Sequence, residues 1–385
     1  MKTTRQLNVF YGDRKVGTLA LHQNRFAAFA YDRDWISDGF SISPFSLPLE
    51  SKVFLPDMDP FDGLFGVFAD SLPDGWGRLL VDRLMLKHHM NPREVGNLDR
   101  LAIVGNSGMG ALTYQPDMEL EKNREIMDLD QIAEECARVL RTRMREEVDA
   151  LDELFALGGS SGGARPKILT QVDGEEWIIK FPSSQDDMDI GYQEYRYAQC
   201  AKACGISMAE TRLFPSEKCR GYFGTRRFDR RRNENGDEER IHMISVSALL
   251  ETSHRIPNLD YEILMKLTWA LTEDPGEMEK LYRQMCFNVF AHNRDDHSRN
   301  FSYLYLEGEQ RWILSPAYDL TYSSSLGGEH ATTVHGNGRN PGKKELLAVA
   351  ESGGISERRA SVIADDVRDC VEEFLGEILR DMSRR

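Results

Sequence analysis

Three polar residues near position 300 have the types and the spacing of a phosphoryl-transfer site. Asp295 and Asn300 stand in one polar loop with four residues between them, and Asp319 ends a Ser-Pro-Ala-Tyr-Asp turn. In sites of this kind, an aspartate accepts the proton of the attacking hydroxyl, while an amide oxygen and a second carboxylate hold Mg2+. One or two carboxylates suffice, because water and phosphate complete the coordination of magnesium. The spacing therefore predicts Asp295 as a catalytic residue and Asn300 and Asp319 as metal ligands.

The same loop, NRDDHSRN, has a simpler interpretation as a solvated run of charges between a helix and a strand. Apolar segments bracket it, however, with MCFNVFA before it and FSYLYL after it. Such segments would hold the polar side chains of the loop on a rigid support. This context favours a functional loop.

A second set of candidate residues surrounds the glycine-rich segment GGSSGGA, which ends at Ala164. Two apolar runs follow, with an Asp173-Gly174 turn signal between them, and they predict a hairpin whose second strand ends at Lys180. Backbone amides of small residues and a nearby ammonium group can share the charge of a nucleotide triphosphate. A flexible loop and a surface lysine are the alternatives for each feature alone, and their closeness favours a phosphate site. Glu194 could pair with Lys180, or it could be an ordinary exposed helix residue.

Length and composition bound the class of protein. With 385 residues, 41% of them hydrophobic, the chain can form two or three domains or lobes. Its formal net charge of −15 repels phosphate backbones, which disfavours general nucleic-acid binding. No run approaches the ~20 apolar residues of a membrane helix, and the start MKTTRQLNVFYGD lacks the apolar core of a signal peptide, so we expect a cytoplasmic protein. The six cysteines form no CxxC pair, which favours reduced thiols over a zinc or disulfide framework.

The periodicity of apolar residues predicts the elements that position these candidates. Short strands are expected within 6–31. Apolar residues at helical spacing predict helices within 61–85, 128–144, 190–205, 259–271, 277–292 and 356–382. The second of these has Asp128 as a candidate N-cap and Gln131 at the spacing of a capping box. The helix within 277–292 would deliver the polar loop at its C-terminal end.

Three further segments leave alternatives open. The cluster of arginines from Arg226 to Arg232, around Phe228 and Asp229, is an inter-lobe connector, a contact for an acidic partner or a solvated basic loop. The glycine-rich bend that ends at Gly110 could cradle a phosphate, although a tight turn is the commoner use of such a bend. Segment 323–344 is rich in Gly, Ser and Thr, which is typical of a mobile activation or substrate-binding segment or of a plain surface loop.

Four sequence blocks, taken in order, carry a resemblance to a known family. They are GSSGGARPK at 159–167, IIKFP at 178–182, RRFDRR at 226–231, and NRDDHSRNF with SPAYDL at 293–320. With these blocks, the sequence resembles the HipA family of bacterial serine/threonine kinases, the toxin halves of HipA/HipB toxin–antitoxin pairs. VGTLAL, FSLPL and ADSLPDG resemble the amino-terminal β-rich subdomain of that family, so the likeness spans most of the chain.

The resemblance implies an α+β protein with a two-lobed, protein kinase-like fold, an additional N-terminal β-rich subdomain and an all-helical C-lobe. Its parts would be the β-rich subdomain at 1–116, a helical connector at 117–150, a kinase N-lobe core with the phosphate loop at 151–250, and a helical C-lobe with the catalytic and metal-binding loops at 251–385.

The resemblance also implies a serine/threonine kinase that uses ATP and Mg2+. Asp295 would be the catalytic aspartate, with Asn300 and Asp319 as metal ligands. Lys180 would contact the phosphates, and His297 would lie near the nucleotide. The phosphate loop would consist of Ser161, Gly162, Gly163 and Ala164, and the backbone near Arg226 and Phe228 would hold the adenine.

Two positions are singled out by comparison with the family pattern. Ser160 matches the serine whose autophosphorylation expels the phosphate loop and inactivates the kinase, and Ser161 is adjacent to it. Asp296 stands where the family usually has a small residue, so it is a secondary candidate. Arg165-Pro166 replaces the usual polar pair before the lysine.

The resemblance finally implies partners. A HipB-like DNA-binding antitoxin would restrain the kinase, which would meet DNA only through that antitoxin and would have no membrane contact. The substrate would be a protein such as an aminoacyl-tRNA synthetase, whose phosphorylation would halt translation. A small-molecule phosphotransferase and a catalytically silent binding or corepressor module are the alternatives.

Overall fold

The computed structural model describes residues 4–117, 128–144, 146, 148–233 and 236–382. Residues 118–127, which fall in the predicted connector, lie outside the described residues. The chain divides into two compact units, each assembled from several segments. The first unit comprises Met1–Gly191, Arg212–Ile244 and Ala248–Thr252, and the second comprises Tyr192–Thr211, Ser245–Ser247 and Ser253–Arg385. The four-part division given above stays a prediction.

The strands of the described residues are short. In chain order they are β1 Gln6–Tyr11, β2 Arg14–His22, β3 Phe26–Tyr31, β4 Val53–Phe54, β5 Leu112–Gln115, β6 Lys167–Val172, β7 Glu175–Lys180, β8 Thr211–Phe214, β9 Tyr222–Arg226, β10 Arg230–Arg232, β11 Glu238–Arg240, β12 His242–Ser245, β13 Leu259–Asp260, β14 Ser302–Leu306, β15 Arg311–Leu314 and β16 Thr332–Thr333.

The helices of the described residues range from single turns to one long C-terminal helix. In chain order they are α1 Arg33–Asp38, α2 Gly66–Ala69, α3 Gly75–Lys87, α4 Asn97–Val104, α5 Leu129–Arg141, α6 Leu151–Gly158, α7 Ile190–Ala203, α8 Val246–Leu249, α9 Tyr261–Thr272, α10 Pro275–Phe290, α11 Lys343–Ser352 and α12 Glu357–Met382. Short 3-10 segments lie at Pro92–Glu94, Ser298–Asn300, Glu307–Glu309 and Leu326–Gly328. In the part of the chain that the structure describes, no helix combines the length and the apolar character needed to span a bilayer.

The first unit contains a five-stranded antiparallel sheet with the strand order β4-β3-β2-β1-β5. The two-residue turn Gly12-Asp13 joins β1 to β2, and Gly12 has a φ of 56°, which glycine adopts without strain. Leu7 and Val9 alternate with more exposed neighbours along β1 and are fully buried, so one face of the sheet faces the core. These strands confirm the prediction for residues 6–31.

The second sheet of the first unit has the order β6-β7-β9-β8 and contains the predicted hairpin. Asp173 and Gly174 both have positive φ, 53° and 79°, as a type I′ turn requires. Ile168 and Ile179 lie opposite each other in this hairpin and pack in one core cluster with side chains of α3, α5 and α6. The helices therefore cover one face of the hairpin.

Helix α5 begins after Asp128, as the sequence indicates, but the capping box predicted there is not formed. The Asp128 side chain makes no capping hydrogen bond, and the helix ends at Arg141. Its first turn is fixed instead by Asp130, whose carboxylate accepts hydrogen bonds from the Ser216 hydroxyl at 2.6 Å and the Tyr222 hydroxyl at 2.8 Å.

The second unit is built around α9, α10, α11 and α12, which pack on one another. Asp274 caps α10 by accepting a hydrogen bond from the Gly276 amide at 2.7 Å, and Pro275 occupies the first turn. The prediction of an all-helical C-lobe needs a correction, because this part also contains the antiparallel hairpin β14–β15 and the parallel pair β13–β16. The rings of Tyr305 and Trp312, opposed in the hairpin with centroids 5.2 Å apart, stabilise it.

Candidate active site

The polar loop that carries Asp295 starts from a rigid helix end. Helix α10 ends at Phe290, and most of its last two turns are buried. The backbone amide of Asn293 donates to the Asn288 carbonyl at 2.9 Å, and the Asn293 side-chain amide donates to Asn288 Oδ1 at 2.9 Å. These bonds fix the direction in which the chain leaves the helix, so the loop has a firm support.

Within this loop, the structure brings Asp295, His297 and Asn300 together. The Asn300 side-chain amide donates to the Asp295 carbonyl at 2.6 Å, and His297 Nε2 lies 3.8 Å from Asp295 Oδ1. His297 Nδ1 accepts a hydrogen bond from the Arg299 amide at 3.2 Å, so the ring proton of a neutral His297 is on Nε2, toward the carboxylate. The Asp295 side chain is 63% exposed, as a base that must meet a substrate hydroxyl has to be.

Asn300 and Asp319 lie at the same end of the β14–β15 hairpin. Beyond the last strand pair, Tyr318 joins the two arms, because its hydroxyl donates to the Arg299 carbonyl at 2.6 Å. Ser302 Oγ in turn donates to the Tyr318 hydroxyl at 2.6 Å. The two predicted metal ligands therefore come from one continuous hydrogen-bonded piece of structure.

The chemistry of these donors fits magnesium. Asp319 has a left-handed backbone, with a φ of 52°, and such positions cluster at functional sites. The Asp319 carboxylate and the Asn300 amide oxygen are the hard ligands that magnesium prefers. The thiols of Cys200, Cys204 and Cys370, which lie within 4.8 Å of one another in the same unit, are soft ligands of the wrong kind. Burial raises the pKa of Cys370 to about 12, so it is packed as a neutral thiol.

The predicted phosphate loop is held by two neighbouring segments of the first unit. The Trp76 amide donates to the Gly163 carbonyl at 2.8 Å, and Lys167 Nζ donates to the Gly162 carbonyl at 2.7 Å. Ser161 is buried, whereas Gly163 and the following residue are exposed to solvent. The loop is therefore fixed through its carbonyls, while its exposed end is the part that a phosphate could reach.

Ser160, the predicted site of autophosphorylation, is half-buried, and its hydroxyl donates to the Ser107 carbonyl at 3.0 Å. The Ser161 hydroxyl donates to the Gly158 carbonyl at 2.6 Å. Both hydroxyls are thus engaged with the backbone, and modification of either would break a hydrogen bond.

Two buried lysines face each other in the β6–β7 hairpin beside the loop. The register places Lys167 opposite Lys180, so both side chains are on the same face of the sheet. Only 9% and 8% of the two residues are exposed, and Lys180 Nζ lies 5.6 Å from the centre of the Phe223 ring. The two ammonium groups therefore bring positive charge to one face of the hairpin. Lys167 ends the block GSSGGARPK but was not predicted as a partner of Lys180, although counting back from the Asp173-Gly174 turn would have paired the two.

The residues predicted to flank the adenine also lie in the first unit. Arg226 is on β9 opposite Trp177, and its half-exposed guanidinium is 3.7 Å from the Glu175 carboxylate. Phe228 is half-buried just beyond that strand. Their contact with adenine stays a prediction. So does the pairing of Lys180 with Glu194, although Glu194 is only 2% exposed and is therefore not an ordinary surface residue.

The interpretation of 226–232 as a solvated basic loop is wrong for its central residues. Asp229 is fully buried, and Arg227 and Arg230 donate to its carboxylate at 2.7 and 2.9 Å. The Gly110 amide donates to the same carboxylate at 2.6 Å. Burial alone would raise the pKa of Asp229, but the two arginine charges outweigh it and hold the pKa well below its usual range. The glycine-rich bend that ends at Gly110 thus binds a carboxylate of the chain itself.

Comparison with known families decides what this chain is related to. Residues 7–115 match the HipA N-terminal domain, and residues 159–374, more than half of the chain, match the HipA-like C-terminal domain. The chain belongs to the HipA family. This confirms the resemblance read from the sequence blocks, and the C-terminal HipA match contains all of the site residues proposed above.

Two individual proteins resemble this chain along most of its length. A protein of Sinorhizobium fredii (strain NBRC 101917 / NGR234) named "Putative kinase Y4mE" is 27% identical over 352 residues, which cover 83% of this chain and 77% of that protein. The solved structure of HipA from Shewanella oneidensis MR-1, in a complex with HipB and operator DNA, has a TM-score of 0.71 at 18% identity and covers 97% of this chain and 90% of that one. The HipA likeness confirms the predicted two-lobed kinase-like fold.

A kinase from Helicobacter pylori, CtkA, gives a weaker match. Its structure has a TM-score of 0.37 at 12% identity, and the match covers 55% of this HipA chain and 90% of CtkA.

Proposed function

We propose that this HipA family chain is a serine/threonine protein kinase that uses ATP and Mg2+. The observation that carries the proposal is the hydrogen-bonded piece that joins the loop of Asp295 and Asn300 to the turn of Asp319 through Tyr318. An exposed carboxylate and two hard oxygen ligands on a rigid support are the parts that phosphoryl transfer to a hydroxyl requires. The name of the Sinorhizobium relative supports the same reaction class.

Each candidate site residue of the second unit has a role in this proposal. Asp295 accepts the proton of the substrate hydroxyl as the hydroxyl attacks. His297, whose Nε2 lies 3.8 Å from Asp295, orients that carboxylate beside the nucleotide. Asn300 and Asp319 would hold the metal through their side-chain oxygens. Bound Mg2+–ATP would supply the phosphoryl group and spread its charge.

The first unit would bind the nucleotide. Lys180 and Lys167 place two positive charges on one face of the hairpin, where they would lie against the phosphates. The backbone amides of the phosphate loop, Ser161 to Ala164, would share that contact. The backbone near Arg226 and Phe228 would hold the adenine.

The biological role proposed is that of a toxin. The Shewanella HipA structure contains HipB and operator DNA, which supports a HipB-like DNA-binding antitoxin as the partner of this chain. The substrate would be a translation component such as an aminoacyl-tRNA synthetase, whose phosphorylation would arrest growth. Both proteins would be in the cytoplasm. Ser160 would be autophosphorylated, and its modification would release the phosphate loop and inactivate the kinase.

Phosphoproteomics after brief expression of the wild type and of Asp295→Ala tests the proposal. We expect new phosphoserine or phosphothreonine on a translation protein, and on Ser160, with the wild type alone. Loss of a general base lowers the rate by roughly 10²–10⁴, so the variant should leave the phosphoproteome at its basal level. Circular dichroism confirms that both proteins are folded to the same extent.

Three outcomes would contradict the proposal. Identical phosphoproteomes in the two strains would exclude a protein kinase. Label from γ-labelled ATP that enters only small molecules would identify a small-molecule phosphotransferase. Equal binding of a partner by wild type and variant, with no transfer by either, would identify a silent binding or corepressor module.

A further inference from the structure

Asp296, the residue after the proposed base, is fully buried, and a buried carboxylate is stable only where donors surround it. Three donors do so in the second unit. The Tyr261 hydroxyl lies 2.8 Å away, His330 Nδ1 lies 2.9 Å away and the Thr332 amide lies 3.2 Å away. A carboxylate so enclosed serves neither as a second base nor as an open metal ligand.

The segment that contacts the Asp296 side chain also holds the backbone on both sides of Asp295. The Ala331 amide donates to the Arg294 carbonyl at 3.0 Å, and Thr332 Oγ1 donates to the Asp296 carbonyl at 2.5 Å. Asp295 is therefore an exposed residue between two tethered neighbours. Its position depends on the segment that makes these bonds.

The hydrogen bonds behind Asp296 lead back to the start of the loop. The Tyr261 hydroxyl accepts from Asn288 Nδ2 at 2.9 Å, and Asn288 Oδ1 accepts from the Asn293 side chain at 2.9 Å. Tyr261 begins α9, and Asn288 lies near the end of α10. One buried carboxylate thus connects the loop to two helices of the core.

The contacting segment has anchors of its own. The His330 amide donates to the Gly338 carbonyl at 2.7 Å. Asp260 accepts hydrogen bonds from Thr333 Oγ1 at 2.6 Å and from the Gly336 amide at 2.8 Å. The sequence indicated a mobile segment or a plain loop over 323–344, but the structure gives its central part fixed partners at two carboxylates.

We propose that Asp296 is a positioning residue that holds Asp295 in its working orientation by tying the catalytic loop to residues 330–332. This inference deepens the proposed kinase function and rests on it. Because the side chain of Asp296 contacts the segment and not a substrate, its loss should slow the chemical step and leave nucleotide binding almost unchanged.

The test compares Asp296→Asn with a matched control, Glu277→Gln, in the full-length chain. Glu277 is 3% exposed and accepts hydrogen bonds from the Leu314 amide at 2.9 Å and from Lys280 Nζ at 2.6 Å, away from the Asp295 loop. Both changes remove one negative charge from the interior of the second unit. Transfer of label from γ-labelled ATP to the protein of a heat-treated cell lysate is measured as a function of ATP concentration, with Asp295→Ala as the blank. Thermal unfolding is followed in parallel.

We expect the maximal rate of Asp296→Asn to fall by roughly tenfold to a hundredfold, with the half-saturating ATP concentration within about twofold of wild type. The control should lose thermal stability but keep its maximal rate within about twofold. Hydrogen exchange should show 293–300 and 330–336 opening together in Asp296→Asn and not in the control, whatever the activity.

The outcomes separate the two proposals. An Asp296→Asn protein with an unchanged maximal rate would overturn the positioning role while leaving the kinase proposal intact. An equal fall of the maximal rate in both variants would show that Asp296 has only a structural role. A wild type that transfers no label to protein would overturn the kinase function and the catalytic part of this inference with it. Unchanged exchange in both segments would overturn the tethering itself.

Discussion

Two adjacent aspartates in the second unit differ in burial and therefore have different roles. Asp295 is exposed, so its carboxylate can meet a hydroxyl of another molecule. Asp296 is enclosed by donors, so it can hold the loop but cannot meet a substrate. The sequence DD alone says nothing of this division, because the partners of Asp296 at 330 and 332 are more than thirty positions away along the chain.

His242 gives a prediction at the scale of one residue. It is fully buried in the first unit, with Nε2 2.8 Å from the Ile42 carbonyl, and burial lowers its pKa to about 4. The unfolded chain binds this proton near pH 6.5, so the stability contributed by neutral His242 is complete above pH 6.5 and is lost as the pH falls toward 4. The loss amounts to about 3 kcal/mol.

Urea unfolding of the wild type and of His242→Gln at pH 7, 5.5 and 4 measures this effect. Glutamine can still donate to the Ile42 carbonyl but does not titrate, so the variant should lose about 3 kcal/mol less than the wild type between pH 7 and pH 4. Parallel pH dependences in the two proteins would show that His242 does not titrate as described.

Residue-level features that depend on local spacing could be predicted from the sequence. The Asp173-Gly174 turn set the hairpin register, and that register places Lys167 opposite Lys180. The burial of Asp229 could not be predicted, because it depends on an amide of Gly110, 119 positions earlier. The sequence shows the arginines, Asp229 and the glycine bend, but it does not show that they contact one another.

At the scale of elements, the start of α3 and the phosphate loop are fitted to each other. A Cβ on Gly77 would lie 2.2 Å from the Ser161 carbonyl oxygen, and one on Gly75 would lie 2.3 Å from the Gly163 carbonyl oxygen. Such distances are shorter than any non-bonded contact, so glycine alone allows the approach. The N-terminal subdomain therefore sets the conformation of the predicted nucleotide loop.

Gly77→Ala tests this fit. Alanine is the better helix former by about 1 kcal/mol, so a defect cannot come from a weakened α3. We expect the added methyl group to push the loop away and to raise the half-saturating ATP concentration about tenfold, a change of about 1.4 kcal/mol.

Gly96→Ala is the control, because a Cβ there meets only the Asp99 carboxylate at 3.7 Å, an ordinary contact. Its ATP dependence should match the wild type. Unaltered ATP dependence of Gly77→Ala would show that this loop does not hold the phosphates.

Prediction at the element scale succeeded where the signals were local. The hairpin of the first unit and helix α12 follow directly from turn residues and periodicity. The aromatic and aliphatic residues between Asn300 and the turn of Asp319 indicated a hairpin, which β14–β15 confirms, yet the C-lobe was predicted to be all-helical. Its strands are decided by pairing and by the Tyr305–Trp312 contact, which periodicity does not report.

For the whole molecule, the net charge of −15 bears on the proposed partner. Phosphate backbones repel such a chain, so any DNA contact should depend on a basic antitoxin. The fluorescence anisotropy of labelled DNA from upstream of the chain's own gene should not change when the chain alone is added at 150 mM salt. The anisotropy should rise once a HipB-like protein is added as well. Salt-sensitive binding by the chain alone would contradict an indirect contact.

The turn of the β14–β15 hairpin lies at the opposite end from the predicted metal ligands. The Glu307–Glu309 turn lies about 15 Å along the strands from Ser302. A Cβ on Gly308 would meet no atom within 4 Å. An epitope or a fluorescent reporter inserted at Gly308 would therefore leave the paired arms in register, and it offers a way to follow the protein in living cells.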